Sequence, residues 1–283
     1  MKNYIKIARV RHWIKNALIF IPAFFSKELL SLDLNSILIL LYGFFGFSML
    51  SSAIYTLNDI LDAEKDKVHP QKKYRPIASG AVSKREATVL FVVLFVISMV
   101  LISATRNLYC ILIAVVYLLL NILYSTWLKH QPIIETVIIV LGFLLRLLFG
   151  ACLMNVLISG WLYLTVMSGA FYMAFGKRRG ELQMLDEVDR RAVLSLYTFG
   201  FLDKNMYCFA TLTNVFYSLW AINEGIKMYP TIPIVLIIFL KYSYNTEKKS
   251  FADPIDVFFK DKVIVGFVVL YVVYSIIALY FWK

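Results

Sequence analysis

Apolar runs long enough to cross a bilayer recur along this chain, separated only by short polar breaks. They fall at roughly 34–60, 86–104, 107–127, 132–153, 160–176, 204–222, 231–245 and 262–282, after a first run ending near Ser26. About 20 apolar residues in a row span the hydrocarbon as a helix, and helices or closed barrels alone satisfy their backbone there. About nine such runs predict an all-α polytopic integral membrane protein. The chain is 60% hydrophobic and only 17% charged, outside the range of soluble domains. No long polar linker interrupts residues 1–283, so a single transmembrane domain is expected. Three scattered cysteines, Cys110, Cys152 and Cys208, show neither metal spacing nor a disulfide framework.

The net charge of +11 would suit a nucleic-acid partner if it were clustered on one surface. It is instead sorted by loop: 24 of the 29 Lys and Arg residues fall in alternate loops and at the N-terminus, four fall on the opposite side, and Arg146 lies inside a run. That asymmetry is membrane topology, with the N-terminus and charged loops in the cytoplasm. We therefore expect a multi-pass protein of the bacterial inner membrane and no nucleic acid. Residues 1–15, with Lys2, Lys6, Arg9, Arg11 and Lys15, read as a basic interfacial helix anchored by Trp13. No small-residue cleavage site follows it.

The richest chemistry lies in Ser51–Gly80. Continued as a helix, this stretch puts Asn58, Asp62 and Asp66 at i, i+4 and i+8, on one slowly drifting face. Asp59 sits beside them. Amide and carboxylate oxygens so grouped suit a hard cation such as Mg²⁺, which shares its shell with a ligand's phosphates. Pro70 stops the helix, and Lys67, Lys72, Lys73 and Arg75 follow as anion ligands. A solvated loop also carries mixed charges. The N-D-x-x-D-x-x-x-D spacing and the place at the mouth of a span favour a diphosphate site.

A second charged loop opens with Gly176-Lys177-Arg178-Arg179-Gly180-Glu181, where Lys177, Arg178 and Glu181 can share a face. We expect the two cations to hold phosphate and Glu181 to meet a sugar hydroxyl or a metal water. Asp186 and Asp189, beside Arg190 and Arg191, read as a surface helix. Arg11 and Lys15, four apart, are placed on one face as anion ligands. Arg146, in the middle of a span, calls for a bound anion or a carboxylate from another helix. Glu135 is too far along the same helix to supply it, eleven residues or about 16 Å away. Tyr124 and Lys129, in the turn before that span, complete the candidate substrate contacts.

RVRHWIKN (Arg9–Asn16), SAIYTLNDILDAEKDKVHPQKKYRPIASG (Ser52–Gly80), LKHQPIIE (Leu128–Glu135) with Arg146, and GKRRGEL (Gly176–Leu182) resemble the decaprenyl-phosphate phosphoribosyltransferase branch of the UbiA superfamily. The resemblance weakens after about Tyr197. It implies a helical bundle around a cytoplasm-facing cavity open to lipid. It also implies a Mg²⁺-dependent transfer of 5-phosphoribose from phosphoribosyl diphosphate to a polyprenyl phosphate, as in cell-wall arabinan synthesis. The family's first-motif residues carry over to Asn58, Asp59, Asp62 and Asp66. Aromatic prenyltransferases of the superfamily usually carry a second D-x-x-x-D where this chain has K-R-x-x-E, and cations there suit substrates with extra phosphates. The sequence leaves an aromatic prenyltransferase and, further off, a transporter as rivals. Against transport, the polar residues crowd one membrane face. A composition rich in lysine and isoleucine admits undecaprenyl as well as decaprenyl phosphate, and a homo-oligomer is not excluded.

Overall fold

The computed structural model describes residues 2–27, 30, 32–184, 192–248 and 260–282. Asp186, Asp189, Arg190 and Arg191 lie outside the described residues. The described chain is helical, without a strand. Five long helices start on a residue whose side chain accepts from the first turn's N–H groups, as the sequence signals require. They are α3 (Leu34–Leu61, cap Asp33), α5 (Lys84–Ala104, cap Ser83), α6 (Leu108–Thr126, cap Asn107), α9 (Phe199–Glu224, cap Thr198) and α11 (Lys262–Ile276, cap Asp261). At α5 the cap is reciprocal: Ser83 accepts from Glu86 N–H while the Glu86 carboxylate accepts from Ser83 N–H. The other long helices are α7 (Ile134–Met154), α8 (Gly160–Met184) and α10 (Thr231–Glu247).

Six helical stretches among the described residues are long and apolar enough to cross a membrane: α3, α5, α6, α7, Ile226–Glu247 and Lys262–Phe281. The expected spans at 160–176 and 204–222 lie within α8 and α9. Those helices are long, but Tyr, Thr, Ser, Gly and charged residues dilute their apolar character. The first expected span takes another form. Residues Val10–Phe20 wind as a 3₁₀ helix and pass into the short α2 (Ile21–Phe25), with Pro22 in its first turn. Arg11 and Lys15 therefore do not share a face. At three residues per turn it is i and i+3 that eclipse, and i+4 lies about 120° away.

The contacts divide the chain into two compact units, Met1–Leu128 with Leu145–Leu157, and Lys129–Leu144 with Ile158–Lys283. In the first unit, Phe47, Leu50 and Ile54 of α3 pack with Ile102 of α5, Cys110, Ala114 and Tyr117 of α6, and Phe149 and Leu153 of α7. Small residues set the spacing, since in lipid close van der Waals contact drives helix association. A Cβ on Gly46 would stand 2.8 Å from Ile102 Cγ1, and one on Gly150 only 2.1 Å from the Ile19 carbonyl oxygen. Along α5, Val89, Val93, Val96 and Val100 are exposed at four- and three-residue steps, a stripe suited to lipid.

In the second unit, Tyr172, Phe175 and Leu182 of α8 pack with Leu202 and Met206 of α9, Tyr242 of α10 and Ile264 of α11. Its buried phenols are satisfied. Tyr172 is hydrogen-bonded to Ser243 and to the Phe239 carbonyl, and Tyr217 donates to Thr231.

Candidate functional site

The acidic stretch begins on α3 and passes through a one-residue break into α4 (Ala63–Lys67). The break does not disturb the spacing. Asp62 N–H donates to the Asn58 carbonyl at 2.9 Å and Asp66 N–H to the Asp62 carbonyl at 2.8 Å, so the four-residue ladder continues. Asn58, Asp62 and Asp66 are stacked turn on turn, as expected. The Asn58 side-chain oxygen accepts from Ser125 of α6, which fixes the amide's direction.

Two arginines hold the buried carboxylates. Asp59, 4% exposed, accepts from Arg9 at 2.6 Å and from Arg75 NH1 at 3.3 Å, and the same Arg75 nitrogen donates to Asp66 at 2.7 Å. Arg75 thus sits on the acidic residues themselves. Asp62, half-buried at the helix junction, is the most accessible of the three aspartates. Lys67 is drawn to Glu64 at 2.9 Å, and Glu64 also meets Lys84 at 2.7 Å. The Lys84 and Lys67 bonds hold the Glu64 carboxyl down to about 2. Lys73 is exposed, its ammonium 5.3 Å from the centre of the Tyr74 ring. Arg11 is exposed, and Lys15 and Tyr124 are half-buried.

The donor set of Asn58, Asp62 and Asp66 suits a hard divalent cation: one amide and two carboxylates, all oxygen, on successive helical turns. Among the described residues no group of three or more His, Cys, Asp and Glu side chains forms a metal cage. Mg²⁺ seldom needs one, because it keeps waters and takes its remaining ligands from phosphates.

Arg146 of α7 is 5% exposed. Its Nε donates to Asn16 Oδ1 and its NH2 to Tyr117 OH, both at 2.7 Å, and its guanidinium lies 4.8 Å from the Tyr117 ring centre and 5.4 Å from that of Phe47. These contacts are thus an amide, a phenol and two ring faces. Asn16 in turn donates to Ser48 of α3 at 2.9 Å. This is a buried polar knot joining the 3₁₀ segment, α3, α6 and α7.

The second unit holds the other charged cluster. Arg178, 1% exposed on α8, forks onto Glu135 of α7, with Nε at 2.6 Å from Oε1 and NH2 on Oε2, while NH1 reaches Glu181 Oε2 at 2.6 Å. All three guanidinium nitrogens are committed to carboxylates. The phosphate contact expected of Arg178 is therefore replaced by a buried Glu–Arg–Glu triad. Lys177 is half-buried on the same helix, and Lys129 is half-buried in the turn Leu128–His130. Arg179 points elsewhere, to Asp203 at 2.6 Å, Gln183 and the Thr246 carbonyl. Glu135 and Arg9 were not read as site residues from sequence. Their partners lie 43 and 50 positions away, beyond any local pattern. The one signal in the sequence is an acid, Glu135, set at the start of an apolar run.

Comparison with known proteins agrees with this architecture. The chain is 30% identical to the decaprenyl-phosphate phosphoribosyltransferase of Mycobacterium tuberculosis, covering 92% of this chain and 88% of that one. It is 28% identical to the Corynebacterium glutamicum protein of the same name, covering 98% and 86%. A UbiA homolog from Archaeoglobus fulgidus solved with GPP and Mg²⁺ superposes over 98% of this chain and 99% of its own, with a TM-score of 0.73 at 16% identity. The UbiA prenyltransferase family profile matches residues 19–263. A helical chain with these relatives and this profile match is a transferase belonging to the UbiA prenyltransferase family.

Proposed function

We propose that this protein transfers the 5-phosphoribosyl group of phosphoribosyl diphosphate to a polyprenyl phosphate, decaprenyl or undecaprenyl, at the cytoplasmic face of a bacterial inner membrane. The observation that carries the reading is the Arg178 triad. Where an aromatic prenyltransferase of the superfamily would offer a second pair of aspartates, the two carboxylates here share one internal guanidinium, so the triad carries a net charge of −1 rather than −2. The triad therefore repels a substrate bearing additional phosphates less than an unpaired pair of aspartates would. The relatives named decaprenyl-phosphate phosphoribosyltransferase support the same choice.

In this reading Asn58 and Asp62 hold Mg²⁺, with Asp66 as a further ligand or an anchor for its waters. When bound, the ion neutralises charge on the departing diphosphate. The reaction is one displacement: a lipid phosphate oxygen bonds to C1 of the ribose, the C1–O bond to diphosphate breaks, and diphosphate leaves with the bonding pair, inverting the carbon. A phosphate monoester is already largely deprotonated at neutral pH, so no strong general base is required. The protein's share is to hold two anions in line and to stabilise the leaving group. Within the first unit Arg75 and Lys73 are the proposed diphosphate contacts; within the second, Lys177 is a proposed phosphate contact. Arg178 and Glu135 hold Glu181 for a sugar hydroxyl.

The test is an assay of purified protein with labelled phosphoribosyl diphosphate and polyprenyl phosphate, with and without Mg²⁺. Label passing into a lipid with release of diphosphate, lost on chelation, is expected. No transfer under these conditions, with transfer of a prenyl group from a prenyl diphosphate to an aromatic acid, would overturn the reading.

A further inference from the structure

Arg9 turns the chain between α1 (Lys2–Ala8) and the 3₁₀ segment with φ 48° and ψ 45°. This left-handed conformation is one that an ordinary L-residue rarely adopts. The turn persists because its surroundings are pinned to one stripe of α3. Ser52 Oγ donates to the Ala8 carbonyl at 2.7 Å, and Trp13 Nε1 donates to Ser52 Oγ at 2.9 Å. The His12 and Tyr55 rings lie 5.5 Å apart, and the Arg9 guanidinium lies 4.9 Å from the centre of the same Tyr55 ring. Ser52, Tyr55 and Asp59 stand at i, i+3 and i+7, one helix face. The strained turn therefore aims one guanidinium at one buried carboxylate.

The charges around that pair suggest why. Asp59 and Asp66 are both buried, and a single Arg75 nitrogen serves both, at 3.3 and 2.7 Å. With Arg9 the set is neutral, two carboxylates against two guanidiniums. Arg9 is the closer partner of Asp59, and Arg75 lies closer to Asp66 than to Asp59.

We infer that Arg9 is a positioning residue, the standing counter-ion of Asp59 that leaves Arg75 able to quit Asp66 and meet the substrate's diphosphate. This rests on the reading of the Asn58–Asp66 cluster as the diphosphate site. When Asp66 turns to the cation, Arg75 is released with its charge intact, and Asp59 stays neutralised. Without Arg9, the buried Asp59 carboxylate would draw Arg75 fully onto itself, because an uncompensated charge away from water is costly. The guanidinium meant for the ligand would then be withheld. Arg9 itself touches no substrate.

A double-mutant cycle tests this on the full chain in detergent, with inorganic pyrophosphate and Mg²⁺ as the calorimetric probe and Mn²⁺ resonance as a second readout. Arg9→Gln should weaken pyrophosphate binding about tenfold or more, the loss of one charge-assisted contact to the ligand. In the Asp59→Asn background the same change should alter binding by no more than about twofold, since the carboxylate it served is gone. The double variant should therefore bind better than Arg9→Gln alone. Equal losses in both backgrounds would make Arg9 a direct ligand and overturn the inference, as would wild-type binding by Arg9→Gln. If Arg9→Gln does not fold, the comparison of Asp59→Asn with Arg9→Gln/Asp59→Asn decides alone, because neither strands a buried carboxylate. Failure of the wild type to bind pyrophosphate with Mg²⁺ would remove the diphosphate reading first, and this inference with it.

Discussion

Replacing Glu135 by Gln tests the triad of the second unit at nearly constant volume. Arg178 donates twice to Glu135 and once to Glu181, and each hydrogen bond to a charged group contributes about 1.5–3 kcal/mol. The glutamine retains one acceptor, and its NH₂ must face a guanidinium N–H, two donors opposed. The net loss is then about 3 kcal/mol, one neutral bond being kept. For a chain of this size that lowers Tm by roughly 5–10 °C. Glu181→Gln loses a single charge-assisted bond and still offers an oxygen, so about 1 kcal/mol and a few degrees are expected. The ranking is the sharp part: Glu135→Gln should melt well below Glu181→Gln, while Glu181→Gln loses more turnover per folded molecule. Thermal melting in detergent, followed by loss of the monodisperse species, reads the first, and phosphoribosyl transfer reads the second. A Glu135→Gln protein melting within a degree of wild type, or level with Glu181→Gln, would refute the account of Arg178 as a buried clamp.

Asp62→Asn should nearly abolish turnover while leaving Tm close to wild type, since this aspartate is the least buried of the three and the change removes the charged ligand proposed for Mg²⁺. Asp186→Asn and Asp189→Asn should cost little activity; losses as large as that at Asp62 would revive a two-aspartate-motif prenyltransferase. Gly150→Ala should lower folded yield sharply, because the added methyl would stand 2.1 Å from a backbone oxygen and the backbone has no rotamer to yield. Normal yield and melting for that variant would mean the 3₁₀ segment shifts away from α7 without penalty.

The membrane-helical character and the acidic spacing were legible in the sequence because both are local. Apolar run length reports a span directly, and four-residue steps survive the small break at Asp62. Arginine partners were not legible. Arg75 was read as a phosphate ligand from its place after the acidic run, yet its side chain returns to Asp59 and Asp66. Arg146 meets Tyr117 and Asn16, 29 and 130 positions away, a pairing that no local pattern announces. The pairing of Arg11 with Lys15 failed for a different reason, because it assumed a 3.6-residue turn where the backbone makes a 3.0-residue one. Side-chain charge told which groups needed a mate, while topology chose the mate.

The 3₁₀ winding of Val10–Phe20 also resolves a problem of pitch. Trp13 meets Ser52 and Asn16 meets Ser48, so three residues on one strand of the match correspond to four on the other, running antiparallel. Three residues of 3₁₀ helix rise about 6 Å at 2.0 Å each, and four residues of α-helix also rise about 6 Å at 1.5 Å each. The two helices are commensurate, like gears of different tooth count cut to the same spacing. Wound as an α-helix, the N-terminal segment would advance only about 4.5 Å between Trp13 and Asn16 and slip out of step with the serines. The tighter winding therefore keeps Asn16 level with Arg146, and it makes the length between Arg9 and Ile19 intolerant of a single inserted or deleted residue.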